Sequence, residues 1–450
     1  MASLAGLLKN KGFEVCGSDA NMYPPMSTQL ETMGIRLYPG YRPENLPEAD
    51  PDLVIVGNAI PRGNPELEEV LNRRLLYCSM TEAVKEFFLR ERSSIVIAGT
   101  HGKTTTASMA AWLLESAGLN PSFLVGGLPL NFGRSYQWKP DGSHFVIEGD
   151  EYDTGFMDRR PKFVSYLPEI VVLNPVEFDH ADIYSDLQAV ENAFRQLIKI
   201  IPSNGTILVN RDSEPATGLA RRGYSRVVSF GFHPESDFRI QLEGRHNGEA
   251  CFALNGESFR MRVFGRHNMA NAAGVAVLGK QLGLSLAQIQ QAFTAFNGVK
   301  RRMELRGETN GVAVYDDFAH HPTAIKSTLE GARLAFPDAR IFGVFEPRSW
   351  SSRRNVFQEE FAKSFGAADT AIIAPVFEPD RLAQEVRLNP QKLIEQIGSN
   401  GTPAHYFQSN EEVIEFVIKS ARPGDKLILM SNGAFDGIHE KILDRLSKQE

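Results

Sequence analysis

The 450-residue sequence predicts an α/β protein of about three domains, and three observations support this class. Runs that read as strands alternate with runs that read as helices along most of the chain, which is typical of parallel α/β architecture. One apolar strand leads through a glycine turn into a helix that opens on lysine and threonine, within residues 95–106. Polar residues gather where several strands end, which is the edge where open α/β sheets hold their ligands.

The strand-like runs divide the chain into three units, which we place at residues 1–92, 93–304 and 305–450. Between residues 238 and 264 the alternation of polar and apolar residues predicts antiparallel strands. The remaining strand-like runs are 13–19, 35–38, 53–58, 94–98, 144–148, 170–174, 205–210, 312–317, 340–345, 370–374 and 426–430.

The glycine turn of the second unit has the composition of a phosphate-binding turn. Its residues are Gly99, Thr100, His101, Gly102, Lys103, Thr104 and Thr105. Glycines let backbone N–H groups approach an anion, Lys103 can reach the outer phosphates from an exposed loop, and Thr104 can place a hydroxyl on Mg²⁺. The strict phosphate-loop pattern needs a glycine where Ile97 stands, so the turn is a shortened variant. A nucleoside triphosphate is the expected ligand, and an ordinary strand-to-helix turn is the alternative.

Acidic residues follow two strands of the same unit. The first group is Glu148, Asp150, Glu151 and Asp153, and the second is the run 177–184, which includes Glu177, Asp179, His180 and Asp182. A threonine hydroxyl, one carboxylate and phosphate oxygens are a suitable ligand set for Mg²⁺. Taken alone, His180 is better explained as a capping or core residue and the acidic group as a solvated loop. Beside the phosphate turn, a metal-nucleotide site is the stronger interpretation.

The composition is typical of a globular protein and argues against membrane-spanning, disulfide-rich and nucleic-acid-binding classes. Hydrophobic residues make up 42% of the chain, enough for packed cores, and no apolar run approaches the ~18–20 residues of a membrane span. The start lacks a basic segment ahead of its short apolar stretch, so we expect no signal peptide. Three scattered cysteines favour a cytoplasmic protein without a disulfide frame or zinc site. A net charge of −7 argues against a nucleic-acid partner.

Five motifs in this order resemble the signatures of the Mur ligases, the ATP-dependent amide-forming enzymes of bacterial cell-wall synthesis. The motifs are residues 99–105, 177–180, 265–272, 301–304 and 316–322, and together they cover essentially the whole chain. Residues 148–156, 177–184, 318–322 and 346–349 are most similar to the members that join UDP-N-acetylmuramate to the recycled tripeptide L-alanyl-γ-D-glutamyl-meso-diaminopimelate. The members that add L-alanine alone usually have serine at the position of Tyr152.

The resemblance implies N- and C-terminal Rossmann-like sheets that flank a central phosphate-loop ATPase domain, with ATP and Mg²⁺ required and no membrane partner. It implies a monomer or a weak homodimer in cell-wall biogenesis. The implied catalytic residues are Lys103, His180 and Arg302. The implied metal ligands are Thr104, Glu148 and His180. Besides the phosphate turn, the implied nucleotide contacts are His267, Asn268, Asn271, Arg302 and Asp317, and the implied peptide contacts are His320, Arg348 and Ser349.

Some of these residues have structural alternatives, which the residues alone leave open. Asn268 and Asn271 are also suitable helix-capping residues, Asp317 a strand-end cap, and Arg302 a surface ion-pair partner. A regulatory nucleotide-binding protein would be expected to lack Lys103, Glu148 or His180, and all three are present. An L-alanine ligase or a folate polyglutamate synthase would keep the ATP residues and change those near Arg348. An NAD-dependent oxidoreductase is disfavoured because no complete Gly-x-Gly-x-x-Gly turn follows a strand.

The start of the chain departs from the family pattern. Family members open with a strand and a glycine turn that meets the UDP pyrophosphate, whereas residues 1–6 read as part of the following helix. We therefore hypothesise that the natural protein starts some 15–25 residues upstream, about one strand and one turn. The alternative is that another segment fills the place of the strand. The hypothesis predicts a sheet with a gap or a displaced edge beside residues 13–17.

Overall fold

The computed structural model describes residues 1–22, 26–181, 183–246 and 248–448. Asp182 of the predicted acidic run and the last two residues of the predicted third unit lie outside these ranges. The chain forms two compact units. One contains Met1–Glu177, Gln188–Ile240 and Asn271–Phe293, and the other contains Phe178–Leu187, Gln241–Ala270 and Thr294–Glu450.

The N-terminal part of the first unit contains short strands and helices. They are α1 (Ala2–Lys11), β1 (Cys16–Asp19), α2 (Met26–Thr32), β2 (Arg36–Pro39), α3 (Asn45–Ala49), β3 (Val54–Val56), α4 (Pro65–Asn72), β4 (Tyr77–Ser79) and α5 (Met80–Val84). Gly12, at φ 101°, ends α1 in the left-handed conformation that glycine adopts without strain. The chain thus opens with a helix, as predicted.

The predicted gap in the N-terminal sheet is confirmed. β1 pairs in parallel with β2, and β3 pairs in parallel with β4, as two separate two-stranded sheets. Within the described residues no further strand joins them. Two pairs of this kind expose backbone N–H and C=O groups along their open edges, where a larger sheet would satisfy them.

The rest of the first unit is built on a mostly parallel sheet. Its elements are β5 (Ser93–Ala98), α6 (Lys103–Ser116), β6 (Ser122–Leu124), β7 (Tyr136–Gln137), β8 (His144–Gly149), β9 (Asp153–Gly155), β10 (Asp158–Pro161), β11 (Pro168–Leu173), α7 (Leu187–Ile200), β12 (Thr206–Asn210), α8 (Glu214–Ala220), β13 (Arg226–Gly231) and β14 (Phe238–His246). Eight strands of this ten-stranded sheet lie in the order β14, β13, β12, β11, β5, β8, β6, β7. Among these eight, only β7 runs antiparallel to its neighbour. Because β5 is central, its Ile95, Val96 and Ile97 are fully buried, as its unbroken apolar run predicts.

The predicted antiparallel passage at residues 238–264 is confirmed in part. β15 (Glu249–Leu254) and β16 (Glu257–Met261) pair antiparallel, and β14 pairs in parallel with β13, a strand that lies before this passage. The Asp237 carboxylate accepts hydrogen bonds from the N–H and the hydroxyl of Ser229 and so links the start of β14 to β13.

The second unit is built on a six-stranded sheet. It is preceded by α9 (Arg266–Gln281) and α10 (Leu286–Ala295), most of whose residues belong to the first unit. The elements that follow are β17 (Glu304–Thr309), β18 (Val312–Asp317), α11 (Pro322–Ala335), β19 (Ile341–Phe345), α12 (Gln358–Ala362), β20 (Thr370–Ile373), α13 (Pro390–Ser399), β21 (Ala404–Tyr406), α14 (Asn410–Ser420), β22 (Lys426–Met430) and α15 (Ile438–Ser447). The strand order is β17, β18, β22, β19, β20, β21, and all strands but β17 are parallel.

Both faces of this second sheet are buried. One core contains Leu329, Phe361 and Ile373, and the other contains Val413, Leu429 and Ile438. Helices therefore cover both faces, and the carboxyl ends of the neighbouring strands β18, β22 and β19 meet at one edge. No helix among the described residues is both long and apolar enough to cross a membrane.

Candidate active site

The glycine turn after β5 is shaped by close packing. Gly99 and Gly102 have φ of 131° and 79°, in the range that favours glycine. A Cβ atom at Gly99 would lie 2.7 Å from the Cβ of Asn174, and one at Gly102 would lie 2.6 Å from the Oδ1 of Asn271. No side chain caps α6, so the N–H groups of its first turn point at the turn without a side-chain acceptor. The turn thus leads into a helix whose N-cap residue offers no side-chain acceptor, and the binding of a phosphate there stays a prediction.

The turn is tied to the segment that follows β11. The Thr100 hydroxyl donates to the Glu177 carbonyl at 3.0 Å and accepts from the Glu177 N–H at 2.9 Å. The His101 ring lies 3.2 Å from the Glu177 carboxylate. Thr105 is buried in the first turn of α6. These contacts fix the backbone of the turn, so its N–H groups are oriented before any ligand binds.

Lys103 does not lie on an exposed loop, so that prediction is wrong. It is the first residue of α6, its side chain is 12% exposed, and its Nζ lies 2.9 Å from the Oε2 of the fully buried Glu151. Nζ also donates to the Gly99 carbonyl at 2.7 Å. Burial alone lowers the pKa of Lys103, but the carboxylates of Glu151, Asp150 and Glu148 outweigh it and raise the pKa. The acidic residues after β8 thus hold a charged lysine beside the turn.

Thr104 and Glu148 meet as the metal prediction requires. The Thr104 hydroxyl donates to Glu148 Oε2 at 2.8 Å, and Glu148 Oε1 accepts from the Gly126 N–H. Burial and the charge of Asp150 raise the pKa of Glu148, while the two hydrogen bonds and Lys103 oppose them. The Thr104 hydroxyl and the Glu148 carboxylate could both bind one Mg²⁺ ion at the start of α6. Water and phosphate oxygens would complete its coordination.

Asn174 belongs to this site, although the sequence analysis did not single it out. Its Nδ2 lies 3.3 Å from the His101 carbonyl, 3.0 Å from the Thr106 hydroxyl and 3.5 Å from the Oδ1 of Asn271. Asn174 is fully buried and Asn271 is 5% exposed. The available signal was its position directly after β11, the strand next to β5. Asn271, predicted to contact adenine, therefore packs against the phosphate turn.

In the second unit, three histidines surround one buried carboxylate. Burial raises the pKa of Asp179, but the charges of His180, His321 and His320 and the N–H of His180 outweigh it and lower the pKa to about 2. His180 adopts φ 53°, which is uncommon for a residue other than glycine. The structure thus brings the predicted His180 and His320 together around Asp179.

His321 was not predicted to belong to the site, yet it fixes this segment. Its Nε2 lies 3.1 Å from the Phe178 carbonyl, and its Nδ1 accepts from the Thr323 N–H at 3.3 Å, which caps α11. The sequence signal was the pair of histidines before Pro322.

Arg302 and Asp317 interact electrostatically, and Asp317 also organises its loops. The carboxylate accepts from the N–H groups of Met303 and Ala319, each at 2.8 Å, and from the Thr328 hydroxyl at 3.2 Å. Burial raises the pKa of Asp317, and the Arg302 charge is the first of the opposing influences. The strand-end capping interpretation therefore holds for Asp317, and its contact with ribose stays a prediction.

His267 and Asn268 lie in the first turn of α9. The Asn268 Nδ2 donates to the Phe264 carbonyl at 2.7 Å, which supports the start of the helix. The His267 ring packs beside Gly265, where a Cβ atom would lie 2.6 Å from the ring. Their adenine contacts stay predictions.

Arg348 and Ser349 lie on the loop after β19. The Arg348 guanidinium carbon lies 3.7 Å from the centre of the Phe377 ring, and its Nη1 lies 3.3 Å from Glu346 Oε1. The Ser349 hydroxyl donates to the Ser352 hydroxyl at 2.9 Å and accepts from the Ser352 N–H at 3.1 Å. Ser349 thus shapes the loop, while Arg348 presents a fixed guanidinium.

Three family models match the chain in succession. They are the Mur ligase family catalytic domain at residues 1–92, the Mur ligase middle domain at 97–279 and the glutamate ligase domain of Mur ligases at 301–433. This succession supports the predicted three-domain α/β architecture, while the boundaries after residues 92 and 304 stay predictions.

Known proteins similar to the chain include two kinds of ligase. The UDP-N-acetylmuramate–L-alanyl-γ-D-glutamyl-meso-2,6-diaminoheptandioate ligase of Escherichia coli K12 is 41% identical, over 100% of the chain and 96% of that protein. A UDP-N-acetylmuramate–L-alanine ligase of Rhizobium etli is 34% identical, over 96% of the chain and 92% of that protein. The crystal structure of a murein peptide ligase from Psychrobacter arcticus matches with a TM-score of 0.70 and 34% identity, over 100% of the chain and 97% of that structure.

Proposed function

The chain belongs to the Mur ligase family, and from this membership we propose that it uses ATP to join UDP-N-acetylmuramate to L-alanyl-γ-D-glutamyl-meso-diaminopimelate. The new amide bond forms between the lactyl carboxylate of the muramate and the amino group of the peptide's alanine. Because this peptide is a fragment of the cell wall, the reaction serves peptidoglycan recycling.

The chemistry explains the need for ATP. A carboxylate is a poor electrophile because amide formation would have to expel oxide. Attack of the lactyl carboxylate on the γ-phosphorus releases ADP and gives an acyl phosphate. The peptide amine then attacks the acyl carbon, loses a proton, and phosphate leaves. Negative charge grows on phosphate oxygens in the first step and must be met by fixed cations and N–H donors.

The turn after β5 supplies these donors. Lys103 offers its ammonium and the first turn of α6 offers backbone N–H groups, both held in place before ATP binds. Thr104 and Glu148 would hold Mg²⁺, which neutralises phosphate charge when it is bound. His180 is proposed as a ligand of a second metal.

The other assignments follow the family resemblance and are part of the proposal. Arg302 and Asp317 would contact the phosphate and the ribose, and His267, Asn268 and Asn271 would contact adenine. His320, Arg348 and Ser349 would contact the peptide. Arg348 is well suited to a carboxylate because its guanidinium offers paired N–H donors in a fixed plane.

The observation that carries the ligase proposal is the contact of Thr104 with Glu148 beside Lys103, a magnesium-nucleotide constellation at an open helix N-terminus. The choice of the tripeptide over L-alanine is supported by the higher identity to the tripeptide ligase, 41% against 34%.

Phosphate release from ATP tests the proposal. The purified protein is mixed with ATP, Mg²⁺ and UDP-N-acetylmuramate, and either the tripeptide or L-alanine is added. We expect release that depends on both the sugar and the tripeptide, with the conjugate confirmed by mass spectrometry. Release driven by L-alanine alone would assign the chain to the L-alanine-adding ligases. Absence of release with either amine would indicate a non-catalytic nucleotide-binding protein.

A further inference from the structure

Glu346 is a buried carboxylate at the edge where the strands of the second unit end. It directly follows β19, beside the end of β22, and is 3% exposed. The Ser431 hydroxyl donates to its Oε2, and Ser431 is in turn held by the Gly433 N–H at 2.9 Å. Burial raises the pKa of Glu346, and the charge of Asp436 raises it further. The hydrogen bond from Ser431 and the charge of Arg348 lower it, but by less. The mechanism above does not use this carboxylate.

Arg348 is fixed largely without the help of Glu346. Its guanidinium stacks on Phe377, and its Nε and Cδ lie so close to the Cα of Gly433 that a Cβ atom there would overlap them. Among the described residues its one hydrogen-bond partner is Glu346, through a single contact of 3.3 Å. A guanidinium has five N–H donors, so most of them remain for a ligand. A structural Arg–Glu pair would use the shorter, two-point geometry instead.

The loop after β22 adds two further observations. Phe435 and Asp436 both adopt positive φ, 51° and 48°, a strained conformation that the surrounding structure has to maintain. The Oδ1 of Asn432 is buried and lacks a hydrogen-bond partner among the described residues. Arg301 holds this loop by donating to the carbonyls of Ser431 and Gly433, each at 2.6 Å. Glu346, Arg348 and Asn432 thus all lie within three residues of the neighbouring ends of β19 and β22, which is the edge where open α/β sheets hold ligands.

We propose that Glu346 and Arg348 together bind a zwitterionic amino-acid group, the free end of the peptide's diaminopimelate residue. Arg348 takes the carboxylate and Glu346 takes the ammonium. This inference rests on the proposed function and adds Glu346 to it as a specificity-determining residue. A peptide that ends in lysine lacks the distal carboxylate, and one that ends in 2-aminopimelate lacks the distal ammonium. The lysine peptide would leave Arg348 without the ligand carboxylate, and the aminopimelate peptide would leave Glu346 without the ligand ammonium. A polar site rejects an analogue in this way.

The test compares three peptides on one protein. Ligation to UDP-N-acetylmuramate is measured with L-alanyl-γ-D-glutamyl peptides that end in meso-diaminopimelate, L-lysine or 2-aminopimelate. For the wild type we expect kcat/KM to fall by ~10- to 100-fold for each analogue, the range for losing a hydrogen bond to a charged group. Glu346→Gln should lower kcat/KM for the diaminopimelate peptide by a similar factor and leave the aminopimelate peptide within about threefold of wild type. The variant would then no longer prefer the diaminopimelate peptide, which carries the distal ammonium, over the aminopimelate peptide, which lacks it.

Controls separate this inference from a structural role and from the proposed function. Glu395→Gln removes an exposed carboxylate on α13 and should leave all three values unchanged. Equal losses on all peptides in Glu346→Gln, with their ratios kept, would overturn the inference, as would a wild type that uses the three peptides equally. Where Glu346→Gln fails to fold, Glu346→Asp decides the question, because it keeps the charge but shortens its reach, and it should lower kcat/KM for the diaminopimelate peptide more than for the aminopimelate peptide; equal losses on both would overturn the inference. Failure of the wild type to ligate even the diaminopimelate peptide would instead contradict the proposed function.

Discussion

Replacing Lys103 by methionine should damage stability as well as activity, because Lys103 neutralises a buried carboxylate. Methionine keeps the volume of the side chain but leaves Glu151, 1% exposed, without its ammonium partner. Removing one member of a buried pair costs about 3–5 kcal/mol. Protonation limits the loss, because protonating a glutamate of ordinary pKa, about 4.3, at pH 7 costs about 3.7 kcal/mol. We therefore expect Lys103→Met to lower the free energy of unfolding by about 3–4 kcal/mol at pH 7.

The sign of the pH dependence follows from the same argument. The loss in free energy of unfolding equals the cost of protonating the Glu151 carboxylate. It therefore shrinks by about 1.4 kcal/mol for each pH unit of acidification and is small near pH 5. Urea unfolding at pH 7 and pH 5 measures it. The double variant Lys103→Met/Glu151→Gln should regain most of the stability and none of the activity, which we expect to be lower by ~100-fold or more.

Lys139→Met is a matched control within the first unit. Lys139 pairs with Glu115 at 3.3 Å, but both side chains are partly exposed, 34% and 25%, so its loss should cost at most about 1 kcal/mol. A Lys103→Met protein as stable as the wild type at pH 7 would refute the reasoning. A penalty unchanged between pH 7 and pH 5 would do the same.

Three further predictions concern the second unit. Arg348→Lys should raise the KM for the peptide more than the KM for ATP, since lysine lacks the planar fork; equal changes would mean that Arg348 is structural or faces the nucleotide. Gly433→Ala should raise the same KM without any change of charge, because the new Cβ overlaps the Arg348 side chain, and an unaltered KM would show that the overlap is relieved elsewhere. Asp179→Asn should lower the free energy of unfolding by about 2 kcal/mol near pH 4.5, because the pKa of Asp179 is lowered from 3.8 to about 2. Ordinary imidazoles are charged at that pH. That carboxylate stabilises the fold above its unfolded pKa, so the difference in urea unfolding should fade as the pH drops from 3.8 towards 2, and a difference that grows in acid would contradict the assignment.

Local features of the sequence predicted the phosphate turn and the metal ligands. A buried strand, a glycine turn and a helix start lie within residues 95–106, so neighbouring residues alone define the cradle. The family resemblance implied that Thr104 and Glu148 hold one metal ion, and their side chains meet because β5 and β8 are parallel neighbours in the structure. The gap in the N-terminal sheet, which separates the β1–β2 pair from the β3–β4 pair, was predicted by comparison with the family pattern.

Features that depend on distant residues were missed. The burial of Lys103 is set by Glu151, which lies 48 residues further along the chain. Glu346 is defined by Ser431, which lies 85 residues away, and no pattern around either residue indicates that they meet. The parallel pairing of β14 with β13 was not predicted, because hydrophobic alternation indicates only which face of a strand is buried.

The packing of Gly99 and Gly102 has a consequence for heritable variation. Every replacement of either glycine adds a Cβ atom, and at both positions that atom meets an asparagine while the backbone is left-handed. Gly218, in contrast, has open space around its Cα and an ordinary backbone, so a side chain there meets no neighbour. In a library of all single substitutions under selection for activity, we expect every variant at Gly99 and Gly102 to be lost and many variants at Gly218 to be retained. Replacement of either glycine is thus excluded by where the neighbouring asparagines lie, although neither glycine contributes an atom to the chemistry beyond its backbone.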